Sequence, residues 1–324
     1  MADLIGGAAA VIIVRALFEC AEVGWCARAA GVPCYYFIDD NFMVLREQGG
    51  EPARYVRRYT RDAVRRALRR FDGVLVATEP LREYFAQHRL HADIAVFRPT
   101  VVAQALPVRR AAPRLRIAFF GGQHLRDKVL HLVVPAVRQL ARDTPTTLTL
   151  MGVTSEVPDS AGLIVKRPPY DPSYSRALSA LARDGVDILV HVSADGMRNN
   201  AFKNPHALIS AHALGAAPVV SKSAPYRELD DRGIALLCED NEAAWTDALS
   251  DAAANRRAIV ARLTAYCEAT FGGLDNDAVL AAIAAPRHSH PARRLPRWAL
   301  GGGWVAAALA SRSARRLRQL ARLA

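Results

Sequence analysis

The sequence predicts an α/β protein made of two Rossmann-like domains, the first one short, followed by a basic C-terminal tail. Three observations predict it. Short apolar, β-branched runs alternate with helical patterns along most of the chain, which is the mark of parallel strands covered on both faces. The alternation breaks at residues 100–114, where Pro107 and Pro113 follow Pro99 and periodic apolar residues thin out, and then restarts. The length, 324 residues, also exceeds one ordinary core at roughly 150 residues per domain. The divisions that follow are 1–101 for the first domain, 102–114 for a linker, 115–285 for the second domain and 286–324 for the tail.

In chain order, residues 10–14 (Ala-Val-Ile-Ile-Val) read as a buried strand and 16–30 as its helix. A strand at 32–38 precedes an arginine-rich helix at 54–70, where Val56, Tyr59, Ala63, Ala67 and Phe71 recur at three- or four-residue steps. Strand 73–77, helix 80–87 with Pro80 in its first turn, and strand 94–97 complete the first half. The second half reads as strand 115–120, helix 125–141, strands 147–151 and 163–166, helix 172–182 and strand 186–192. Helix 205–214, strands 217–221 and 234–238, and helices from Glu242 onward follow. Gly215 sits where a helix ends in a left-handed residue.

Composition excludes several classes. With 51% hydrophobic and 23% charged residues the chain is neither disordered nor collagen-like. The longest apolar stretch, 4–14, stops at Arg15, short of the roughly 18 residues a membrane span needs. Asp3 stands where a secretory signal would carry basic residues. The five cysteines, Cys20, Cys26, Cys34, Cys238 and Cys267, have no metal-ligand spacing and read as small apolar side chains in a reducing compartment. The expected location is therefore the cytoplasm.

The net charge is +12, with 39 Arg but only four Lys: Lys128, Lys166, Lys203 and Lys222. A GC-rich genome would produce that bias without a functional cause. The clustering points elsewhere: residues 287–324 hold nine Arg and no acid, so the tail carries +9 of the total. Eight Arg against Asp62 crowd residues 54–70. Either cluster reads as a solvated surface or as attraction to an anionic, phosphate-rich one such as the inner membrane leaflet. Trp298 and Trp304 flank apolar residues in the tail, as in an interfacial amphipathic segment or a frayed end. Nucleic acid is a poor fit, because no finger spacing, aromatic-rich strand signature or recognition-helix module occurs.

Candidate chemistry concentrates after the strand ending at Val192. Asn200 and Lys203 precede a helix at the carboxyl end of a parallel strand, where open α/β sheets bind ligands. Unpaired N–H groups and the positive dipole end there, with the Lys203 charge, suit a diphosphate. Asp39 and Asp40 end a strand and read either as a turn or as an acceptor-binding or catalytic pair. They lack companion metal ligands, so no metal site is expected. His124 reads as a solvated loop histidine or as a donor to a ligand.

Taken together, these segments resemble the GT-B glycosyltransferases, specifically the "group 1" enzymes that build bacterial cell-surface polysaccharides. The resemblance runs through Asn200 and Lys203, Ala213-Leu214-Gly215 with Pro218-Val219-Val220, and Pro225-Tyr226 with Glu228. Gly233 to Glu239, Trp245 and Arg256-Arg257 continue it. Upstream it includes Phe119-Phe120-Gly121-Gly122 with His124 and Asp127, Tyr35 to Asn41, and Gly73 to Leu81. It spans about residues 10 to 280.

The resemblance implies transfer of a sugar, with retention, from a nucleotide-sugar donor to a glycan or lipid-linked acceptor, without metal or cofactor. Lys203, Lys128 and Arg126 would cradle the diphosphate, and Gly121 and Gly122 would let backbone approach it. Asn200, Ser210, Tyr226 and Glu228 complete the implied donor set, with Asp39, Asp40 and His124 on the catalytic side. Two features depart from the family. Its Glu-x7-Glu element is matched here by Phe202 and Ser210, and Phe202 cannot accept a hydrogen bond. The usual opening strand, glycine-rich loop and helix are missing ahead of Ala10, which implies an open sheet edge unless a protein partner covers it. A non-catalytic or partner-dependent subunit of a split glycosyltransferase is the alternative they raise. For the tail the expected outcome is concrete: deleting 287–324 releases the protein from anionic vesicles, whereas undiminished co-sedimentation would refute a membrane role.

Overall fold

The structure, a computed structural model, describes residues 5, 8–101, 112–171, 173–194, 196–272 and 274–284. The tail expected at 286–324, and all but the last three residues of the expected linker, lie outside the described residues.

Four strands, β1 (Val11–Val14), β2 (Cys34–Ile38), β3 (Gly73–Val76) and β4 (Ile94–Val96), form the first sheet. They pair in chain order and all in parallel, with Val11 opposite Cys34, Tyr35 opposite Gly73 and Val74 opposite Ile94. Their connections contain α1 (Ala21–Ala29), α2 (Phe42–Gln48), α3 (Gly50–Tyr55), α4 (Arg61–Leu68) and α5 (Glu79–Gln87). Right-handed crossovers put every helix on the same face when strand order never reverses. The packing agrees: Cys34, Tyr36, Ile38, Val74 and Val76 meet Ala27, Met43, Val64, Leu68, Leu81 and Phe85 in one core. The intervening residues Tyr35 and Leu75 face the other way.

The second sheet has the order β10-β9-β8-β5-β6-β7, all parallel. Its strands are β5 (Leu115–Phe120), β6 (Thr146–Met151), β7 (Leu163–Lys166), β8 (Ile188–His191), β9 (Ala217–Ser221) and β10 (Leu236–Cys238). After β5 the chain is helical from a 3₁₀ turn (Gln123–Leu125) through α6 (Arg126–Lys128) and a π turn (Val129–Val133) to α7 (Val134–Leu140). The π turn falls just ahead of Pro135, which has no N–H for an ordinary helical bond. Then come α8 (Tyr174–Asp184), α9 (His206–Leu214), α10 (Glu242–Phe271) and α11 (Leu274–Ala284).

Both faces of this sheet are covered. Ile117, Phe119, Leu148, Leu150, Val190 and Val219 pack with α7 and Trp245 and Leu249 of α10. Ala118, Leu189 and Val220 pack with α8, α9 and the far end of α10. Strand order reverses between β5 and β8, so a crevice opens at their carboxyl ends.

The last helix leaves the second sheet and returns to the first. Val279 and Ile283 of α11 cover Tyr35, Leu75, Phe37 and Phe97, on the face the crossover helices leave bare. Coverage ends before β1, where Ile12 is 41% and Val14 56% exposed. Among the described residues β1 pairs on one side only, so the open edge is present.

Local departures from the expected elements have physical causes. The helix expected at 16–30 starts only at Ala21, because Arg15 is left-handed (φ 61°) and turns the chain. The hydroxyls of Tyr36 and Tyr59 both donate to the Arg15 carbonyl, at 3.1 and 2.7 Å, and hold that turn. The arginine-rich helix is two helices, α3 and α4, because Val56 and Tyr59 both go into the core at the break. Thr60 restarts the helix there, its side chain accepting from Ala63 N at 3.2 Å. The unexpected α2 is capped by Asn41, which accepts from Val44 N at 3.1 Å.

Ile283 is 5% exposed and closes the outer face of the first sheet. Ile283→Ala is expected to cost about 2–4 kcal/mol in urea unfolding; an unchanged midpoint would show that α11 does not seal this face.

Candidate active site between the two sheets

A 3₁₀ turn, Arg198–Phe202, follows β8 and reaches across to the first sheet's loops. Asn199 is fully buried. Its Oδ1 accepts from Asn41 N at 2.7 Å and its Nδ2 donates to Asp40 Oδ1 at 2.7 Å. Arg198 N donates to Gln48 Oε1 at 3.1 Å, and Thr78 Oγ1 donates to the Phe202 carbonyl at 2.8 Å. The Phe202 ring meets Tyr84 edge-on at 5.5 Å and joins the first lobe's core. The two sheets are thus joined by directional bonds, the Asn41–Asn199 bond fully buried among them, where their carboxyl ends face each other.

Asp39 and Asp40 lie on the first-lobe side of this junction. The Arg15 guanidinium grips Asp39 through two bonds of 2.5 and 2.6 Å and reaches Asp40 Oδ2 at 2.8 Å. These bonds to Asp39, ahead of the burial that opposes them, hold the Arg15 guanidinium charged still more firmly than usual. Lys203 Nζ stands 3.4 Å from Asp40 Oδ1. Asp40 therefore touches Arg15, Asn199 and Lys203 together, and only 13% of its side chain is exposed.

On the second-lobe side, Lys203 is followed by Pro205 and then by α9, whose first residue is His206. The amino end of α9 so sits beside a lysine at the lobe junction. The unpaired N–H groups expected there are engaged: His206 N donates to the Asn204 carbonyl at 2.8 Å, Ala207 N to the Tyr226 hydroxyl at 3.3 Å and Leu208 N to the Pro205 carbonyl at 2.9 Å. His191 ends β8, and its ring packs 5.7 Å from that of Tyr226. Burial, then the charges of His206, Lys203 and His124, push the His191 imidazole down to about 4. Burial and Lys203 also lower His124. Lost hydration chiefly lowers His206, against a pull upward from Asp39, although the residue keeps an exposed surface. All three imidazoles thus hold a proton less readily than usual.

The residues singled out in the sequence divide accordingly. Asp39, Asp40, Lys203 and His124 converge on the junction. Gly121 and Gly122 line the loop after β5. A Cβ on Gly152 would fall 1.8 Å from the Gly121 carbonyl, so close backbone approach requires glycine here. Lys128 is tied to Asp240 at 2.6 Å, and exposed Arg126 to its neighbour Asp127 at 2.9 Å. Ser210 is buried and its hydroxyl is already engaged, donating to the His206 carbonyl at 2.8 Å and sharing a 2.7 Å bond with the Tyr174 hydroxyl. Tyr226 is buried, its hydroxyl accepting from Ala207 N at 3.3 Å, so it supports the first turn of α9. Asn200 is half-buried, its carbonyl accepting from Lys203 N at 3.2 Å, while Glu228 is exposed. Sequence reasoning missed Arg15, Asn199, His191 and His206. His206 directly after Pro205 at a helix start was the readable signal; the other three carried none.

No family model and no curated protein matches the sequence. Solved structures do. The Anabaena protein HepE, in complex with UDP, superposes with a TM-score of 0.54 at 13% identity, covering 87% of this chain and 81% of that one. A UDP-forming α,α-trehalose-phosphate synthase from Burkholderia vietnamiensis gives 0.54 at 14% identity, covering 85% and 70%. WaaG, a glycosyltransferase involved in lipopolysaccharide biosynthesis, gives 0.50 at 13% identity, covering 78% and 75%. At such identities the likeness defines the fold. The chain has the GT-B architecture, two Rossmann-like lobes facing each other across a cleft.

Asn199→Ala would leave Asp40 Oδ1 one donor short and strip Asn41 N of its acceptor. A loss of about 2–4 kcal/mol is expected, since each buried unpaired group costs roughly 1–3 kcal/mol. Thermal or urea unfolding measures it, and wild-type stability would show that the junction bonds do not form.

Proposed function

We propose that the protein transfers a glycosyl group from a nucleotide-sugar donor, held mainly by the second lobe, to an acceptor approached from the first. The observation that carries this reading is Lys203 beside the amino end of α9, facing Asp40 across the lobe junction. A departing nucleoside diphosphate needs fixed positive charge as the sugar–oxygen bond breaks. Lys203 Nζ provides it, with the positive dipole end of α9 beside it. The ligand's phosphate would take over the lysine from Asp40, which Arg15 and Asn199 still hold. The junction bonds fix the spacing between lobes, and so how close an acceptor hydroxyl comes to the sugar carbon. Fold relatives crystallised with UDP support a uridine nucleotide as the first donor class to try.

A glycan or lipid-linked acceptor at an anionic membrane fits the first lobe's surface. Arg54, Arg57, Arg58, Arg66, Arg69 and Arg70 are all exposed on or beside α3 and α4, with Tyr55 82% exposed among them. Among the described residues no helix is long and apolar enough to cross a membrane, so contact would be peripheral.

One observation favours a second reading, a partner-dependent or non-catalytic subunit. Ser210 already spends its hydroxyl on His206 and Tyr174, and Phe202 is used to pack the first lobe. The open β1 edge offers such a partner a place to pair. Titration calorimetry with UDP and UDP-glucose separates the two readings. Binding that Lys203→Ala weakens about tenfold to a hundredfold is expected from the loss of a charged hydrogen bond. A folded chain that binds no nucleotide or nucleotide sugar would end the enzyme reading.

A further inference from the structure

The second lobe has a cavity of about 1140 Å³ on the side away from the cleft. It is lined by residues at the amino ends of four neighbouring strands: Leu115 of β5, Pro145 before β6, Asp187 before β8 and Gly215 before β9. The candidate active site lies at the carboxyl ends of the same sheet. β5 has six residues, so about 20 Å of strand separates the two ends. The middle of α10, from Ser250 to Thr264, and the end of α7 at Leu140 complete the lining.

The lining divides into an apolar part and a cationic part. Leu115, Leu140, Pro145, Ala253 and Val260 supply the first. Arg114, Arg116, Arg256 and Arg257 supply the second, against Asp187 as the one acid of the lining. Asp187 is committed to Arg116, which donates to it from Nε at 2.9 Å and from Nη2 at 3.1 Å. Arg114 Nη2 donates to the Thr146 and Gly162 carbonyls, which fixes the side chain without neutralising its charge. Arg256 and Arg257 pair with no carboxylate among the described residues, and they take no part in the donor reading. Three guanidinium charges therefore stand unmatched around one cavity. Two buried atoms of the lining residues, Arg114 Nε and Thr264 Oγ1, also have no hydrogen-bond partner. Buried polar atoms are seldom left so, and two beside one cavity leave a polar demand that the protein itself does not meet.

We infer that this cavity binds an anionic amphiphile, a small molecule with a phosphate or carboxylate head on an apolar body. Guanidinium forks match the paired oxygens of such a head, and a protein carboxylate does not compete for them here. Arg257 is exposed and Arg256 half-buried, so the head is met at the mouth. The body lies inward, along Val260 of α10 and Leu115 of β5. Pockets that enclose whole small molecules measure about 300–1,000 Å³, so a bare phosphate would leave most of this volume to water. A nucleotide sugar, polar along its length, matches the walls poorly. The site is thus separate from the cleft in place and in ligand class, and it does not depend on the donor reading.

Calorimetric titration of the full chain with octyl phosphate, kept below its micelle concentration, tests this. One molecule is expected to bind per chain. Arg256→Ala/Arg257→Ala, at two accessible positions of α10, is expected to keep its fold by circular dichroism and to weaken binding about tenfold or more. Ala261→Trp, at an exposed position of the lining, fills the cavity and is expected to weaken binding as well. Inorganic phosphate and 1-octanol each carry one half of the ligand, and each is expected to bind at least about tenfold more weakly than octyl phosphate. Lys203→Ala is expected to leave octyl phosphate binding unchanged. Phosphate or octanol binding as tightly as octyl phosphate overturns the amphiphile assignment. Binding that survives both α10 variants, binding that falls with Lys203→Ala, or no binding at all overturns the site.

Discussion

The carboxylate of Asp40 is the point on which the molecule's arrangement depends. A charge with 13% of its side chain exposed must be compensated, because its lost hydration is expensive unless replaced by donors and opposite charge. Here the replacements come from three directions: Arg15 at the end of β1, Asn199 from the turn after β8, and Lys203 before α9. Two belong to the second lobe. Satisfying one side chain therefore brings the two sheets' carboxyl ends together, and the cleft forms around it.

The first lobe is built so that this can happen. Its strand order never reverses, so its crossover helices cover one face and leave the other to α11, which arrives from the far end of the chain. The lobes are linked at two separate places, at the cleft through Asn199 and behind it through α11. Asn276 of α11 reinforces the second link, accepting from Arg98 N and donating to the Arg98 carbonyl. The second lobe does reverse, between β5 and β8, and so supplies the crevice. One lobe provides a wall and an acidic pair, the other a crevice at the carboxyl ends of its strands.

The two departures from the GT-B pattern have structural uses. Phe202 exchanges a possible acceptor for a ring packed on Tyr84, which strengthens the lobe junction. Ser210 forms a neutral hydroxyl pair with Tyr174 between α8 and α9.

Periodicity and punctuation were enough to read most strands, the restart after residue 114 and the helix after Pro205, because these depend on contacts within a few residues and on which face is apolar. The same local signals placed Lys203 before a helix and Gly215 at its left-handed end, where it is found with φ 58°. Other features were not legible. The left-handed turn at Arg15 depends on hydroxyls of Tyr36 and Tyr59, 21 and 44 positions away. The contacts of Asn199 depend on loops of one lobe meeting those of the other. Composition and spacing by themselves determined two α/β halves and a lysine ahead of a helix start. Tertiary structure alone decided which charges meet, because pairing across 150 or more residues is set by how the sheets dock, and no local pattern encodes that.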